Sequence, residues 1–325
     1  MLIDFQLEYI MKANQKLNNA LKEKDDEFYT QLSDIEKELQ YYTQHFEGKI
    51  IFCNCDDYKR SNFFKFFAKN FNQFSLKKLF TMNYEENKEF TYLIEINEQI
   101  DDIEFAIANN DIRIKKQKLS HNGDFRNKES KQFLKLVDIV ITNPPFSLFR
   151  EFVDILIKSQ TSFLIVGNNN AISYKNCFSY IAKNQMWLGF NCLRWFYRPQ
   201  GDLVEASRSF WYTNLDIQKR HSLFPLQKKY DEKLFTEYDN YMAIEVPKTK
   251  DIPFDYQGVM GVPITFLEKY NPQQFEILGM DFCVKDGLLN YLIKSSWTGK
   301  LDRAYLNGKR MFSRVLIKNK TLSFE

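Results

Sequence analysis

The sequence predicts an α/β protein: a doubly wound, mostly parallel sheet with an antiparallel edge hairpin, joined to a loop-rich C-terminal unit. Two observations carry this reading. Short apolar runs alternate with amphipathic helical stretches through the first half of the chain and end in a hairpin. Asn54 to Asp57, Asp124 and Asn143 each fall in a polar segment at the end of this alternation, where such sheets bind ligands beyond the carboxyl ends of their strands.

The elements follow in order. Residues 1–24 are polar and weakly amphipathic and read as a loosely attached arm. Phe28, Tyr29 and Thr30 lead into a helix with Ile35, Leu39, Tyr42 and Phe46 on one face, and Ser33 with Glu36 has the spacing of a capping box. The segment 28–30 therefore sits beside a helix N-terminus, a natural place for a carboxylate ligand. Gly48 and Lys49 mark a turn into a buried strand at 50–53, which ends in Asn54-Cys55-Asp56-Asp57. A Phe-rich helix then presents Phe63, Phe64, Phe67 and Phe71 to the core, and strands are expected at 76–82 and 90–96. A polar stretch leads through 116–119 to Gly123-Asp124-Phe125.

The run from Leu136 to Ile141 is a further strand, closed by Asn143-Pro144-Pro145-Phe146 and followed by a helix with Phe149, Phe152, Val153, Leu156 and Ile157 on one face. Strand 163–167, a helix at 174–182, and strands at 187–190, 193–197 and 209–212 come next, the last two around the turn Pro199-Gln200-Gly201-Asp202. Beyond Ile217 the regularity fades. Gly and Pro recur through 251–263, and Lys309, Arg310, Arg314, Lys318 and Lys320 crowd the C-terminus.

The Asn-Pro-Pro-Phe segment carries the chemistry. Each proline fixes its own φ and lacks an N–H, so the segment offers acceptors without competing donors from those two residues. The side-chain oxygen of Asn143 and the carbonyl of Pro144 can each accept one hydrogen of a planar –NH2 group. Those bonds draw the nitrogen lone pair out of conjugation and aim it outward, and the ring of Phe146 can stack on the base that carries the amine. This is catalysis by orientation, with hydrogen bonds that strengthen as positive charge develops on nitrogen. The alternative is a proline-stiffened turn with no chemistry.

Composition sets the frame. A chain of 325 residues, 44% hydrophobic and 27% charged, is long enough for one large domain or two modest ones. The 31 Phe residues are read as a codon bias toward Phe, Lys, Asn and Ile rather than as base-stacking surfaces. A net charge of +3 confines any nucleic-acid footprint to a local patch. No apolar run approaches the roughly 18 residues of a membrane span, and the start of the chain lacks a signal-peptide layout, so a cytoplasmic protein with reduced thiols is expected. Cys53 and Cys55 have no second Cys pair, and with only three His residues no metal site is expected.

Taken together, these segments resemble the EcoRI-type adenine-specific DNA methyltransferases. The resemblance runs from about residue 26 to 320. It rests on Asp26-Glu27-Phe28-Tyr29-Thr30, Cys53-Asn54-Cys55-Asp56-Asp57, Ser61-Asn62-Phe63, Gly123-Asp124-Phe125-Arg126, the eight residues from Thr142 to Phe149, Trp211-Tyr212-Thr213-Asn214-Leu215-Asp216, and the ten from Gly258 to Leu267. It implies a class I, Rossmann-like fold that uses S-adenosylmethionine to methylate the exocyclic amine of adenine in double-stranded DNA.

By the same resemblance Phe28, Tyr29 and Thr30 hold the methionine end of the donor, and Cys53, Asn54 and Asp56 belong to its loop. Asp124 and Phe125 lie beside its adenine ring, and Asn143, Pro144, Pro145 and Phe146 form the catalytic motif. The usual Asp-x-Phe-x-Gly-x-Gly donor loop is absent. Trp195, Phe196 and Tyr197 are candidates to stack on a flipped base, and Lys309, Arg310 and Arg314 are candidates for DNA contact. The expected organisation is an arm at 1–24, a donor-binding catalytic domain at 25–216 and a DNA-contacting recognition region at 217–325. A monomer is expected, with a cognate restriction endonuclease, if present, acting separately. The rival readings are a methyltransferase of ribosomal RNA or of protein glutamine, and a catalytically silent DNA-binding protein on the same fold.

Overall fold

A computed structural model of the protein describes residues 28–198, 200–287 and 289–320. The arm at 1–24 lies outside the described residues. The chain forms two compact units. The first comprises residues up to 177 together with 188–215, and the second 178–187 together with everything from 216 onward. The second unit thus takes up 178–187, a stretch that the sequence reading left inside the catalytic domain.

The first unit is built on a nine-stranded sheet. In chain order its strands are β1 (Tyr29–Thr30), β2 (Ile50–Cys53), β3 (Lys78–Thr81), β4 (Tyr92–Ile96), β5 (Lys115–Lys118), β6 (Ile139–Thr142), β7 (Ser162–Asn168), β8 (Trp187–Tyr197) and β9 (Leu203–Thr213). Their spatial order is β1-β8-β9-β7-β6-β2-β3-β4-β5. The four central strands β7, β6, β2 and β3 are parallel, with Ile51 opposite Ile139 and Thr142 opposite Ile165. Their near-continuous apolar runs fit strands buried on both faces, and Ile51, Val140, Ile141, Leu164 and Val166 are fully buried.

Two crossovers fix where a ligand can enter. Helix α2 (Asn62–Lys69) connects β2 to its neighbour β3, and α5 (Phe149–Lys158) connects β6 to its neighbour β7 in the opposite direction along the sheet. Because parallel crossovers are right-handed, the two helices cover opposite faces, and the order reverses between β2 and β6. The crevice lies beyond the carboxyl ends of those two strands. α2 starts on a real cap, since the Ser61 hydroxyl accepts from the amides of Phe63 and Phe64. It buries Phe63, Phe64, Phe66 and Phe67, while Phe71 is buried just past its end. α5 buries Phe149, Phe152, Val153 and Leu156, with Ile157 half-buried. It lies so close to β7 that a Cβ on Gly167 would come within 2.3 Å of the Phe149 ring.

Several expectations change. The capping box is not used: α1 (Leu32–Leu39) begins one residue before Ser33, with Gln31 at its cap and no side-chain cap bond. Its apolar face is nonetheless as read, with Ile35, Leu39, Tyr42 and Phe46 all fully buried. The helix is fastened instead through buried Glu38, which accepts from the backbone amides of Phe190 and Asn191 and from the Tyr42 hydroxyl at 2.8 Å each. Strands expected at 187–190 and 193–197 are one strand, β8. Antiparallel pairing occurs at both edges, since β4 runs antiparallel to β3 and β5 to β4. Short helices α3 (Ile103–Ala108) and α4 (Lys128–Phe133) were not anticipated; each holds only six residues, too few to display a period.

The second unit is more regular than its sequence suggests. β10 (Ile244–Glu245), β11 (Met260–Pro263), β12 (Phe275–Met280) and β15 (Arg314–Asn319) form a sheet in the order β10-β11-β15-β12, and β13 (Tyr305–Leu306) with β14 (Lys309–Arg310) forms a separate hairpin. A core of Tyr238, Tyr241, Ala243, Val259, Val284, Leu292 and Leu316 packs with it. Among the described residues, no helix is long and apolar enough to cross a membrane.

Candidate active site

The crevice between β2 and β6 is organised around Asp56, which is 5% exposed. Its carboxylate accepts from the Ser61 hydroxyl at 2.6 Å and from the Thr142 hydroxyl. Its amide donates to the Met82 carbonyl at 3.2 Å, and its carbonyl accepts from the Thr81 hydroxyl. Thr142 also accepts from the Cys55 amide at 3.3 Å. One residue therefore ties together the carboxyl ends of β2, β3 and β6 and the start of α2. The sequence reading assigned Asp56 to the donor loop without anticipating these bonds. Asp56, Ser61 and Thr142 all fall in segments that carry the family resemblance, but nothing in the sequence pairs them.

Asn143 follows Thr142 directly. Its side-chain nitrogen donates to the Phe28 carbonyl at 2.7 Å. That bond turns the side-chain oxygen the other way, and Oδ1 is buried with no hydrogen-bond partner among the described residues. The Pro144 carbonyl likewise accepts nothing among the described residues. The Pro145 carbonyl is used, accepting from the Leu148 amide at 3.1 Å to open the helical turn that carries Phe146. The two acceptors expected to hold an amine are thus the two left without a donor. A buried acceptor lacking a partner costs roughly 1–3 kcal/mol, a cost that a bound donor relieves.

Phe146 is 6% exposed and packs with Phe28 (ring centroids 5.8 Å) and Phe196 (6.0 Å), while Phe28 and Phe196 lie 5.9 Å apart. β1 creates this cluster by pairing antiparallel with β8, Thr30 opposite Phe196 and Tyr29 opposite Tyr197. Of the three base-stacking candidates, only Phe196 joins the ring beside Asn143. Trp195 and Tyr197 are 45% and 38% exposed and take no part in that cluster. Thr30 is buried, with its hydroxyl unpartnered among the described residues. Its carbonyl accepts from the side chain of Asn62, the first residue of α2, at 2.8 Å.

Gly123 brings the remaining segment in. It has φ +88°, and a Cβ there would fall 2.0 Å from the Asn83 carbonyl oxygen. Asp124 is gripped by Arg126, Nε at 2.9 Å and Nη2 at 2.6 Å, and that guanidinium holds its carboxyl below the usual range. Burial, with Asp56 and Asp124 close by, pushes the Cys55 thiol up, so the segments at 54–57 and 124 share one electrostatic neighbourhood. Phe125 is buried edge-on against Phe152 of α5 at 4.9 Å, and Cys53 is fully buried. Asn54 is 2% exposed at the end of β2.

The basic candidates divide. Lys309 and Arg310 are exposed on β14, with Arg310 bonded to Asp302 at 2.8 Å. Arg314 is not a surface cation. It is buried on β15, and its guanidinium grips Glu245 through Nη2 at 2.6 Å and Nε at 3.1 Å, with the Tyr238 hydroxyl donating to the same carboxylate. Sequence clustering placed it with its neighbours, but the strand turns it inward, where a charge is held only by a partner.

The fold is the doubly wound one that the family resemblance implies, and two buried acceptors without donors among the described residues, Asn143 Oδ1 and the Pro144 carbonyl, stand at the sheet's switch point. The family described as adenine-specific methyltransferase EcoRI matches residues 16–320, and the chain belongs to it. The type II methyltransferase M.EcoRI of Escherichia coli is 44% identical across 95% of this chain and 98% of its own length. A type II methyltransferase of Mycoplasma genitalium is 38% identical across 94% and 99%, and M.MpnI of Mycoplasma pneumoniae 33% across 93% and 98%. The protein is accordingly an adenine-specific methyltransferase.

Proposed function

We propose that the protein methylates the N6 amine of an adenine rotated out of double-stranded DNA at a specific site, with S-adenosylmethionine as donor and a restriction-modification or stand-alone modification role in the cytoplasm. The observation that carries this is the pair of unpartnered acceptors, Asn143 Oδ1 and the Pro144 carbonyl, beside Phe146. An adenine amine cannot reach them from within a base stack, so the base must leave the duplex.

The residues suit the donor. The buried, unpartnered hydroxyl of Thr30 offers a bond to its charged end, next to the Phe28 carbonyl that already orients Asn143. Tyr29 lies on the same strand, and Asn54 and Asp124 border the crevice. Asp56 shapes the loop through its carboxylate and Cys53 through its backbone carbonyl, and Phe125 supports it from the core. S-adenosylmethionine supplies an electrophilic methyl group when bound.

Asn143 and Pro144 would accept the two amine hydrogens and direct the nitrogen lone pair outward. Pro145 fixes the turn, and Phe146 faces the base, with Phe196 completing the aromatic wall. As positive charge grows on the nitrogen, both hydrogen bonds strengthen. The amine is a neutral nucleophile and loses its proton after methylation, so no strong base is needed beforehand. Residues from 217 onward would supply recognition, with Lys309 and Arg310 on the phosphate backbone.

Sequencing with base-modification detection on DNA from cells expressing the protein should reveal N6-methyladenine within one short recurring sequence. Asn143→Ala should abolish that signal and slow single-turnover transfer at least about 10²- to 10³-fold, with DNA binding kept. Near-normal turnover in this variant would overturn the assignment.

A further inference from the structure

The second unit contains a cleft of about 390 Å³ lined by none of the candidate active-site residues. It is assembled from four distant stretches. Lys183 and Asn184 follow α6 (Lys175–Ala182), Arg220 and His221 end the short helix α7 (Gln218–His221), Tyr270 to Gln273 precede β12, and Lys320 follows β15. Among the described residues, no carboxylate lines it.

Arg220 is held in place before any ligand arrives. Its guanidinium lies 3.8 Å from the centre of the Trp187 ring, Nε donates to Asn184 Oδ1 at 3.0 Å, and Nη1 reaches Asp216 at 3.3 Å. Nη2 has no partner among the described residues. The ammonium of Lys183 also has none among the described residues, and that of Lys320 bonds only the Pro272 carbonyl, at 2.7 Å. Asp216 is the one acid bonded to this group, and it is shared with His221 at 2.6 Å. Among the described residues, three cations therefore stand against one carboxylate around a concave surface, with the Nη2 end of a held arginine open. Planar, bidentate donors flanked by ammonium groups match a phosphate.

We propose that this cleft is a phosphate site and that its occupant is a phosphodiester of the DNA backbone. The proposal rests on the reading that the protein acts on duplex DNA. It assigns sequence-independent affinity to Lys183, Arg220 and Lys320, in addition to Lys309 and Arg310. A free phosphate compound would satisfy the same chemistry.

The test uses the full chain and a labelled duplex without a methylation site, titrated with salt. Lys183→Gln combined with Lys320→Gln removes two exposed charges without disturbing the Arg220–Trp187 stack. It should weaken binding and lower the slope of log affinity against log salt by about two. Lys131→Gln on α4 with Lys135→Gln in the turn after it, both exposed, is the matched control and should leave the slope unchanged. An unchanged slope in the cleft variant, or an equal loss in the control, overturns the proposal. So does a melting-temperature rise with inorganic pyrophosphate that the cleft variant lacks while its DNA slope stays intact, since that assigns the cleft to a small phosphate ligand. Methyl transfer to unmodified genomic DNA at saturating concentration is followed in parallel. Its absence in the parent strikes the functional reading, whereas normal transfer with an unchanged slope strikes the cleft alone.

Discussion

The hydroxyl of Thr142 donates to the carboxylate of Asp56, joining the last residue of β6 to the loop after β2. These two strands flank the point where the sheet order reverses. The register between them ends at Phe52 and Val140, so their carboxyl ends are joined by side chains instead. The residue after Thr142 is Asn143, whose amide orientation the proposed chemistry requires. Asp56 also fixes Ser61, the cap of α2. Catalytic strand, donor loop and first crossover helix therefore share one buried carboxylate.

Thr142→Val keeps the shape of the side chain and removes its hydroxyl. It leaves one Asp56 oxygen and the Cys55 amide each short of a bond, a loss of about 1–3 kcal/mol. The variant should melt at lower temperature than the parent, and its turnover should fall more than its DNA affinity, because the displaced residue is Asn143. Thr142→Ser should restore both, since it keeps the hydroxyl. Identical melting and turnover for the Val and Ser variants would mean that the bond positions nothing.

Much of this was legible in the sequence, because the informative signals are local. The runs at 50–53, 139–142 and 162–168 are strands of a parallel core, and Asn143 stands at the end of one of them. What the sequence did not reveal depends on pairs far apart in the chain. The Phe28 carbonyl that orients Asn143 is 115 residues away, and Thr142 is 86 from Asp56. A strand can turn one basic residue inward and leave its neighbours in water, so clustering of Lys and Arg said nothing about Arg314. The Ser33 box failed for the opposite reason. Glu38 and the packing of Ile35 and Leu39 fix that helix, and a local cap was not required.

Arg314 and its basic neighbours should separate cleanly on mutation. Arg314→Met removes one partner of a buried ion pair and leaves Glu245 charged beside the Tyr238 hydroxyl, an expected loss of about 3–5 kcal/mol. Lys309→Gln with Arg310→Gln touches only exposed groups and should leave the denaturation midpoint in place, while weakening DNA binding on every sequence and flattening its salt dependence. Denaturant melts and DNA titrations on the same preparations decide the matter. A stable Arg314→Met protein with reduced DNA affinity would return that residue to the DNA-contacting surface.

Asp281 gives the second unit a pH dependence of definite sign. It is fully buried, Oδ2 accepts from the Ala304 amide at 3.0 Å, and Oδ1 has no hydrogen-bond partner within the described residues. Burial raises its carboxyl from 3.8 to about 6, against the opposing pull of nearby backbone amides and Arg303. The folded state therefore prefers the neutral acid. Its stabilising contribution is complete below the unfolded value of 3.8 and is lost as pH rises through about 6. The difference of about two units corresponds to roughly 3 kcal/mol. Asp281→Asn cannot ionise and escapes this loss, although its amide nitrogen adds a constant cost at every pH. Measured by denaturant unfolding, the stability of Asp281→Asn relative to the parent should climb between about pH 4.5 and 6 and level off above about 6.5. A difference that stays flat across that window would show that Asp281 ionises in the folded protein as it does in the unfolded chain.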